Sequence, residues 1–248
     1  PIETPEGLSR LAAQIDLERL RPVFETIALV RPQLPAETTF LGFCGAPWTV
    51  ASYMIAGRGT PDQGPARAFA YRWPEAFQSL IDRLVDGSIL YLRAQLDAGV
   101  DAVQIFDSWA GVLPGREFRR WCAEPMRRIA EGVKATHPQA RVIAFPRAAN
   151  AHLGWMSRIE AFDCLGLDTS ADLEAVARDV QPQICVQGNL DPLVLIEGGA
   201  ALDQGVDDIR RALGRGPHIF NLGHCITPQT PIAHVERMLA RARRPIYV

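Results

Sequence analysis

The chain is 248 residues long, enough for one large α/β domain or two small ones with a substantial buried core. Its 26 basic and 28 acidic residues leave a formal charge of -2, which excludes the basic footprint of a nucleic-acid binder and an adhesive basic face for membranes. An anionic ligand therefore needs a local cluster of cations, and with no Gly/Ser-rich or charged linker a single domain over residues 1–248 is expected.

Apolar positions at helical spacing (Leu17, Leu20, Val23 or Phe24, Ile27) predict a helix within Leu8–Val30, closed by Pro32 and Pro35. Phe40 to Phe43 reads as a buried strand, Gly45 and Pro47 stop it, and a helix begins by Val50, so Trp48, Thr49 and Tyr53 fall at a strand's carboxyl end. From these residues alone, Trp48 and Tyr53 read first as core aromatics. A Gly/Pro-bearing loop, Gly57 to Pro65, precedes a long helix from Pro74 with Phe77, Leu80, Ile81, Leu84, Val85, Leu92 and Leu96 on one stripe and Gly99 as its stop.

The same grammar then repeats. Strand Ala102–Phe106 ends at Asp107 and Ser108, and a helix from about Arg116 to Thr136, kinked at Pro125, leads to strand Arg141–Phe145. A short helix, His152–Ile159, leads to strand Phe162–Leu167, with Asp168 at its end and Thr169 or Ser170 as cap of a helix over Ala171–Val180. Strand Ile184–Gln187 is followed by Gly188-Asn189-Leu190-Asp191-Pro192, and a helix over Leu202–Leu213 by strand His218–Leu222. Gly223-His224 follow, then Thr230 and Pro231 open the last helix, Ile232–Ala242.

Six strands in βα alternation predict a parallel sheet with helical crossovers, most simply a (β/α)8 TIM-type barrel with about six of its units present; an open six-stranded sheet satisfies the same pattern. Five cysteines, Cys44, Cys122, Cys164, Cys185 and Cys225, lack C-x-x-C spacing, which speaks against a disulfide framework or a sequence-local zinc site and suits buried free thiols in a reducing cytoplasm. With no run of about 18 apolar residues and no charged-then-apolar leader, a soluble, cytoplasmic protein without a membrane partner is expected, although the chain begins with Pro1 and its relation to a complete product stays open.

Polar groups cluster just after strands: Tyr53, Asp107 with Ser108, Arg147, Asp168, Gln187 with Asn189, and His224. Individually each aspartate reads equally as a helix cap and the histidine as a backbone partner; together they predict one rim. Nucleophile elbow, H-E-x-x-H and P-loop motifs are missing, so acyl transfer, zinc hydrolysis and P-loop chemistry lack their usual parts.

Gly42-Phe43-Cys44-Gly45-Ala46-Pro47-Trp48-Thr49 with Ser52-Tyr53-Met54, Phe106-Asp107-Ser108-Trp109-Ala110-Gly111, Gly166-Leu167-Asp168, Gln187-Gly188-Asn189-Leu190-Asp191-Pro192 and Asn221-Leu222-Gly223-His224 closely resemble the uroporphyrinogen decarboxylase family. The resemblance implies a (β/α) barrel, usually a homodimer, that removes the four acetate carboxyl groups of uroporphyrinogen in tetrapyrrole synthesis with no metal or organic cofactor. It implies Tyr53 and His224 as catalytic groups and Phe145 as the aromatic beside the macrocycle. Arg147, Trp48, Asp107, Ser108 and Gln187 would bind substrate, whereas Arg58 and Arg72 read equally as surface cations.

The family's arginine-containing motif and pyrrole-gathering aspartate, which precede the first of these motifs, have no counterpart in this sequence. Cys225 stands where the family usually has glycine, which is tolerated if the backbone needs no positive φ. Two alternatives remain: a zinc-dependent, corrinoid-linked methyltransferase of the same superfamily, whose His-x-Cys pair is not matched by adjacent His224-Cys225, and a non-catalytic barrel fragment.

Overall fold

The computed structural model describes residues 1–245, which cluster into two compact units, the first Pro1–Pro146 and the second from Arg147 onward. In the first unit, α1 (Leu17–Val30) precedes β1 (Leu41–Gly45), then α2 (Pro47–Ala56), α3 (Gly64–Arg72), α4 (Pro74–Ala98), β2 (Ala102–Asp107), α5 (Gly115–Phe118), α6 (Glu124–Thr136) and β3 (Arg141–Pro146). Strands β1, β2 and β3 pair in parallel, with Gly42 opposite Val103 and Phe106 opposite Phe145.

The second unit contains α7 (Leu153–Met156), β4 (Cys164–Gly166), α8 (Leu173–Ala175), β5 (Cys185–Leu190), α9 (Pro192–Glu197), α10 (Gly199–Leu213), β6 (His218–Leu222) and α11 (Ile232–Ala242). Here β4, β5 and β6 pair in parallel. The fold is therefore α/β, built from six βα units of the (β/α)-barrel type, as the alternation predicts.

The long helix spans the predicted residues because Pro74 sits at its first position and Gly99, at φ 118°, donates its N–H to the carbonyls of Gln95 and Leu96. Its stripe fills the first core: Phe77 is fully buried, edge-on to Trp121 with ring centroids 4.8 Å apart and to Trp48 at 5.9 Å. The kink expected near Pro125 is a π-helical turn, Arg119–Ala123, where the N–H of Glu124 reaches back to the carbonyl of Arg119. The proline nitrogen has no proton for its own turn, and the wider turn takes up the misfit.

Strand β1 pairs with β2 alone among the described strands, and its burial alternates: Gly42 and Cys44 face α4 while Leu41 and Phe43 are exposed. Its free edge is partly closed by a side chain. The Gln95 amide accepts from the N–H of Phe43 and donates to its carbonyl, both at 3.0 Å, as a neighbouring strand would. Two helices were not expected from sequence, α3 within the stretch between Gly57 and Pro74 and α9 after Asp191. The cap assigned to Thr169 or Ser170 belongs instead to Asp172, whose carboxylate accepts from the N–H groups of Glu174 and Ala175.

Candidate active site

In the first unit the site residues lie where β1 and β2 end. Pro47 starts α2 and the N–H of Ala46 still bonds the carbonyl of Phe106 at 2.7 Å, so α2 leaves the strand end directly. Thr49 and Tyr53, four residues apart, share one face of that helix. Thr49 donates its hydroxyl to Asp107 at 2.6 Å and accepts the N–H of Trp109 at 3.3 Å. Trp48, fully buried, donates its indole N–H to the Trp109 carbonyl at 3.0 Å. The two loops are thus stitched together, and Tyr53, 44% exposed, lies over the Trp109 ring at 6.4 Å between centroids.

Asp107 is fully buried, and its Oδ2 has no partner of ordinary hydrogen-bond geometry. Burial pushes its carboxyl up to about 6 against the opposing pull of the Thr49 hydroxyl, the Cys122 thiol and the N–H groups of Trp109 and Thr49. Burial first, and then this neighbouring carboxylate, push the Cys122 thiol up as well. Ser108, next in the chain, is half-buried. An aromatic row crosses the strands, Phe43 edge-on to Phe106 at 5.8 Å and Phe106 edge-on to Phe145 at 5.9 Å, with Phe145 buried. Arg58 is exposed, and so is Arg72, whose guanidinium lies 5.2 Å from the Trp73 ring centre, which fits the surface reading of both.

In the second unit Asp168 organises the rim. Its carboxylate accepts from the N–H of Ala148, from the amide of Asn150 at 3.4 Å, and from both the N–H and hydroxyl of Ser170 at 2.7 and 2.6 Å. Burial pushes this carboxyl up, but those donors, Ser170 foremost, outweigh it and leave it below the usual range. The clamp holds Ala148 at φ +57°, the left-handed region, and so fixes the direction of the chain beside half-buried Arg147. Asn189 reinforces the loop by donating to the carbonyl of Asp168 at 2.9 Å.

His224 is exposed at the end of β6, and its imidazole is held below its usual value first by partial burial and then by the Arg147 cation, with Asp168 opposing. Gly223 permits this approach, because a Cβ there would stand 2.4 Å from the Thr169 nitrogen. Gln187 is buried in β5. Cys225 does not take a positive φ, so the thiol is accommodated; unlike Cys44, Cys122 and Cys164 it is exposed rather than buried. Among the described residues no three His, Cys, Asp or Glu side chains converge to hold a metal ion, and no helix is long and apolar enough to cross a membrane.

Sequence reasoning named Asp107 and Asp168 but missed what they do locally, along with Thr49, Ala148, Asn150 and Ser170 as their partners.

A methyltransferase from Methanosarcina mazei superposes with a TM-score of 0.79 at 21% identity over 95% of this chain and 68% of its own. A B12-independent methionine synthase from a Shewanella species gives 0.59 at 11% identity over 88% and 64%. At those identities the likeness shows the fold alone. A family model described as uroporphyrinogen decarboxylase (URO-D) matches residues 1–245. A uroporphyrinogen decarboxylase of Brucella anthropi is 57% identical over 226 residues, 91% of this chain and 66% of the relative, and that of Brucella canis is 58% identical over the same extent. The chain thus spans 66% of the length of these curated relatives. With a family model matched from the first residue to residue 245 and such identities over nine-tenths of its length, the chain belongs to the uroporphyrinogen decarboxylase family.

Proposed function

We propose that this chain forms the greater part of a carboxy-lyase that converts uroporphyrinogen III to coproporphyrinogen III in haem and chlorophyll synthesis, as one (β/α)-barrel domain. The observation that carries this is the 57–58% identity to proteins named uroporphyrinogen decarboxylase. The carboxylate of each acetate leaves as carbon dioxide, the bonding pair of the broken carbon–carbon bond passing to the methylene carbon, which stays on the pyrrole, takes a proton and becomes methyl. The pyrrole, once protonated, accepts that electron density meanwhile, so the protein has to place protons and stabilise charge. This chemistry calls on no metal or organic cofactor.

In this reading Tyr53 and Ser108 hydrogen-bond the reacting acetate, and Arg147 pairs with another substrate carboxylate. His224, its imidazole shifted toward the neutral form by partial burial and the Arg147 cation, accepts or relays a proton. Phe145, in its aromatic row, supports the macrocycle, buried Trp48 and Asp107 act from beneath by fixing the loops, and Gln187 binds substrate. The free cysteines suit a reducing cytoplasm, and the active form is a homodimer.

The test is coproporphyrinogen formation under anaerobic conditions by the 248-residue chain and by the chain extended with the N-terminal segment of a Brucella relative. The extended form is expected to turn over faster, and Tyr53→Phe in it to lose activity on the order of 100-fold with unchanged circular dichroism. His224→Asn is expected to slow the reaction or change the intermediates released. Full activity in Tyr53→Phe would remove that hydroxyl from the chemistry. Self-association without turnover in either form would favour the non-catalytic alternative, and retained zinc the methyltransferase.

A further inference from the structure

Away from the rim, at the amino ends of β4 and β5, two cysteines lie side by side. Cys164 is directly opposite Cys185 in the parallel register. Directly opposed residues of neighbouring strands sit about 4.8 Å apart with side chains on one face, inside the roughly 4.4–6.8 Å between Cα atoms that a disulfide spans. Interaction between the two thiols raises Cys164 and lowers Cys185, and each sulfur also lies within reach of the following residue's carbonyl, Leu165 at 3.9 Å for Cys164 and Val186 at 3.8 Å for Cys185.

Their surroundings differ. Cys164 is 3% exposed, whereas Cys185 is half-buried and lines an open groove of about 830 Å³ with Phe162, Gln181, Pro182, Arg215 and Pro217. A small oxidant entering the groove thus meets Cys185 first, and a second thiol waits directly behind it. That is the arrangement of an attacking and a resolving cysteine.

We propose that Cys164 and Cys185 are a reversible oxidation site for hydroperoxides, closing to a disulfide between β4 and β5. The Cys185 thiolate attacks one oxygen of the hydroperoxide, the O–O bond breaks, and the other oxygen leaves as water or alcohol after taking a proton. The resulting sulfenic acid is attacked by the Cys164 sulfur, the S–O bond breaks, and the hydroxyl leaves with the Cys164 proton as water. The two thiols are oxidised by two electrons and the peroxide is reduced by two. Because β4 ends beside Asp168 and β5 carries Gln187 and Asn189, the cross-link ties together the strands that support the second unit's rim.

The experiment exposes the chain to equimolar hydrogen peroxide, blocks remaining thiols with a maleimide in urea, and maps proteolytic peptides with and without dithiothreitol. A linked Cys164–Cys185 peptide, two hydrogens lighter than its parts and released by dithiothreitol, is expected. In Cys164→Ser the oxidation should stop at a Cys185 sulfenic acid captured by dimedone, and in Cys185→Ser the buried Cys164 should stay reduced. Exposed Cys225 serves as the internal control. Oxidation of Cys225 with Cys164 and Cys185 both still alkylated, or a Cys185 disulfide to any other cysteine, would overturn the proposal. The readout is independent of decarboxylation.

Discussion

Replacing Asp107 with asparagine should stabilise the protein at neutral pH, although it alters a residue at the heart of a loop junction. The carboxyl is fully buried and titrates at about 6, raised by burial from 3.8. In the folded state it holds its proton more tightly than in the unfolded chain, so its contribution is complete below about pH 4, declines as pH rises, and is lost above about pH 6. At roughly 1.36 kcal/mol per pH unit the difference approaches about 3 kcal/mol at pH 7. Asparagine keeps an acceptor for the Thr49 hydroxyl and the backbone donors and presents its amide toward Cys122, with no charge to desolvate. For a chain this size about 3 kcal/mol corresponds to a rise in Tm of roughly 6–12 °C. The assay is chemical denaturation of both proteins from pH 4 to 7.5; taking their difference cancels titration at other carboxylates. The gap should open between pH 4 and 6 and then stay level. A gap that is flat across this range, or a less stable variant at pH 7, would refute the argument that burial dominates this carboxyl.

Three other substitutions probe the remaining devices. Gln95→Leu leaves the N–H and carbonyl of Phe43 without their side-chain partner; a loss of about 1 kcal/mol and stronger self-association through the β1 edge are expected, and an unchanged melting curve and sedimentation profile would contradict this. Asp168→Ala removes the acceptor shared by Ala148, Asn150 and Ser170, costing about 2–3 kcal/mol at pH 7. Because the Asp168 carboxyl lies below its ordinary value when folded, it stabilises above that ordinary value and the benefit disappears as pH falls; equal losses at pH 7 and pH 2.5 would refute it. Gly223→Ala puts a methyl against the Thr169 backbone and should destabilise by about 1–3 kcal/mol while shifting the His224 resonance, and an unmoved His224 signal would show that the loop accommodates it.

Much of the fold was legible because periodicity, proline and glycine act locally. The helix Pro74–Ala98 and the strand His218–Leu222 come out at the expected residues. Helix α3 did not, since the loop expected over Gly57 to Pro65 runs into its first two residues and the stretch up to Pro74 carries no clear apolar stripe, and only Ala66, Phe69 and Ala70 turning into the core make it a helix. The cap at Asp172 was missed for a similar reason: Thr169-x-x-Asp172 fits a capping box, and the choice between its two ends depends on Ser170 being drawn to Asp168.

The sequence by itself determined the order of six strands, the placement of most polar groups at or just after a strand's carboxyl end, and the family, because motifs and alternating elements are properties of neighbouring residues; Gln187 and Asn189, expected after the fifth strand, lie within β5. The tertiary structure alone decided which carboxyl is strained and which is satisfied. Asp107 and Asp168 look alike on the page, but one is desolvated with an oxygen left over and the other gathers four donors from loops twenty residues apart. It alone also set Cys164 beside Cys185, twenty-one positions away. Burial and register depend on what packs across from a residue, and no local pattern encodes that.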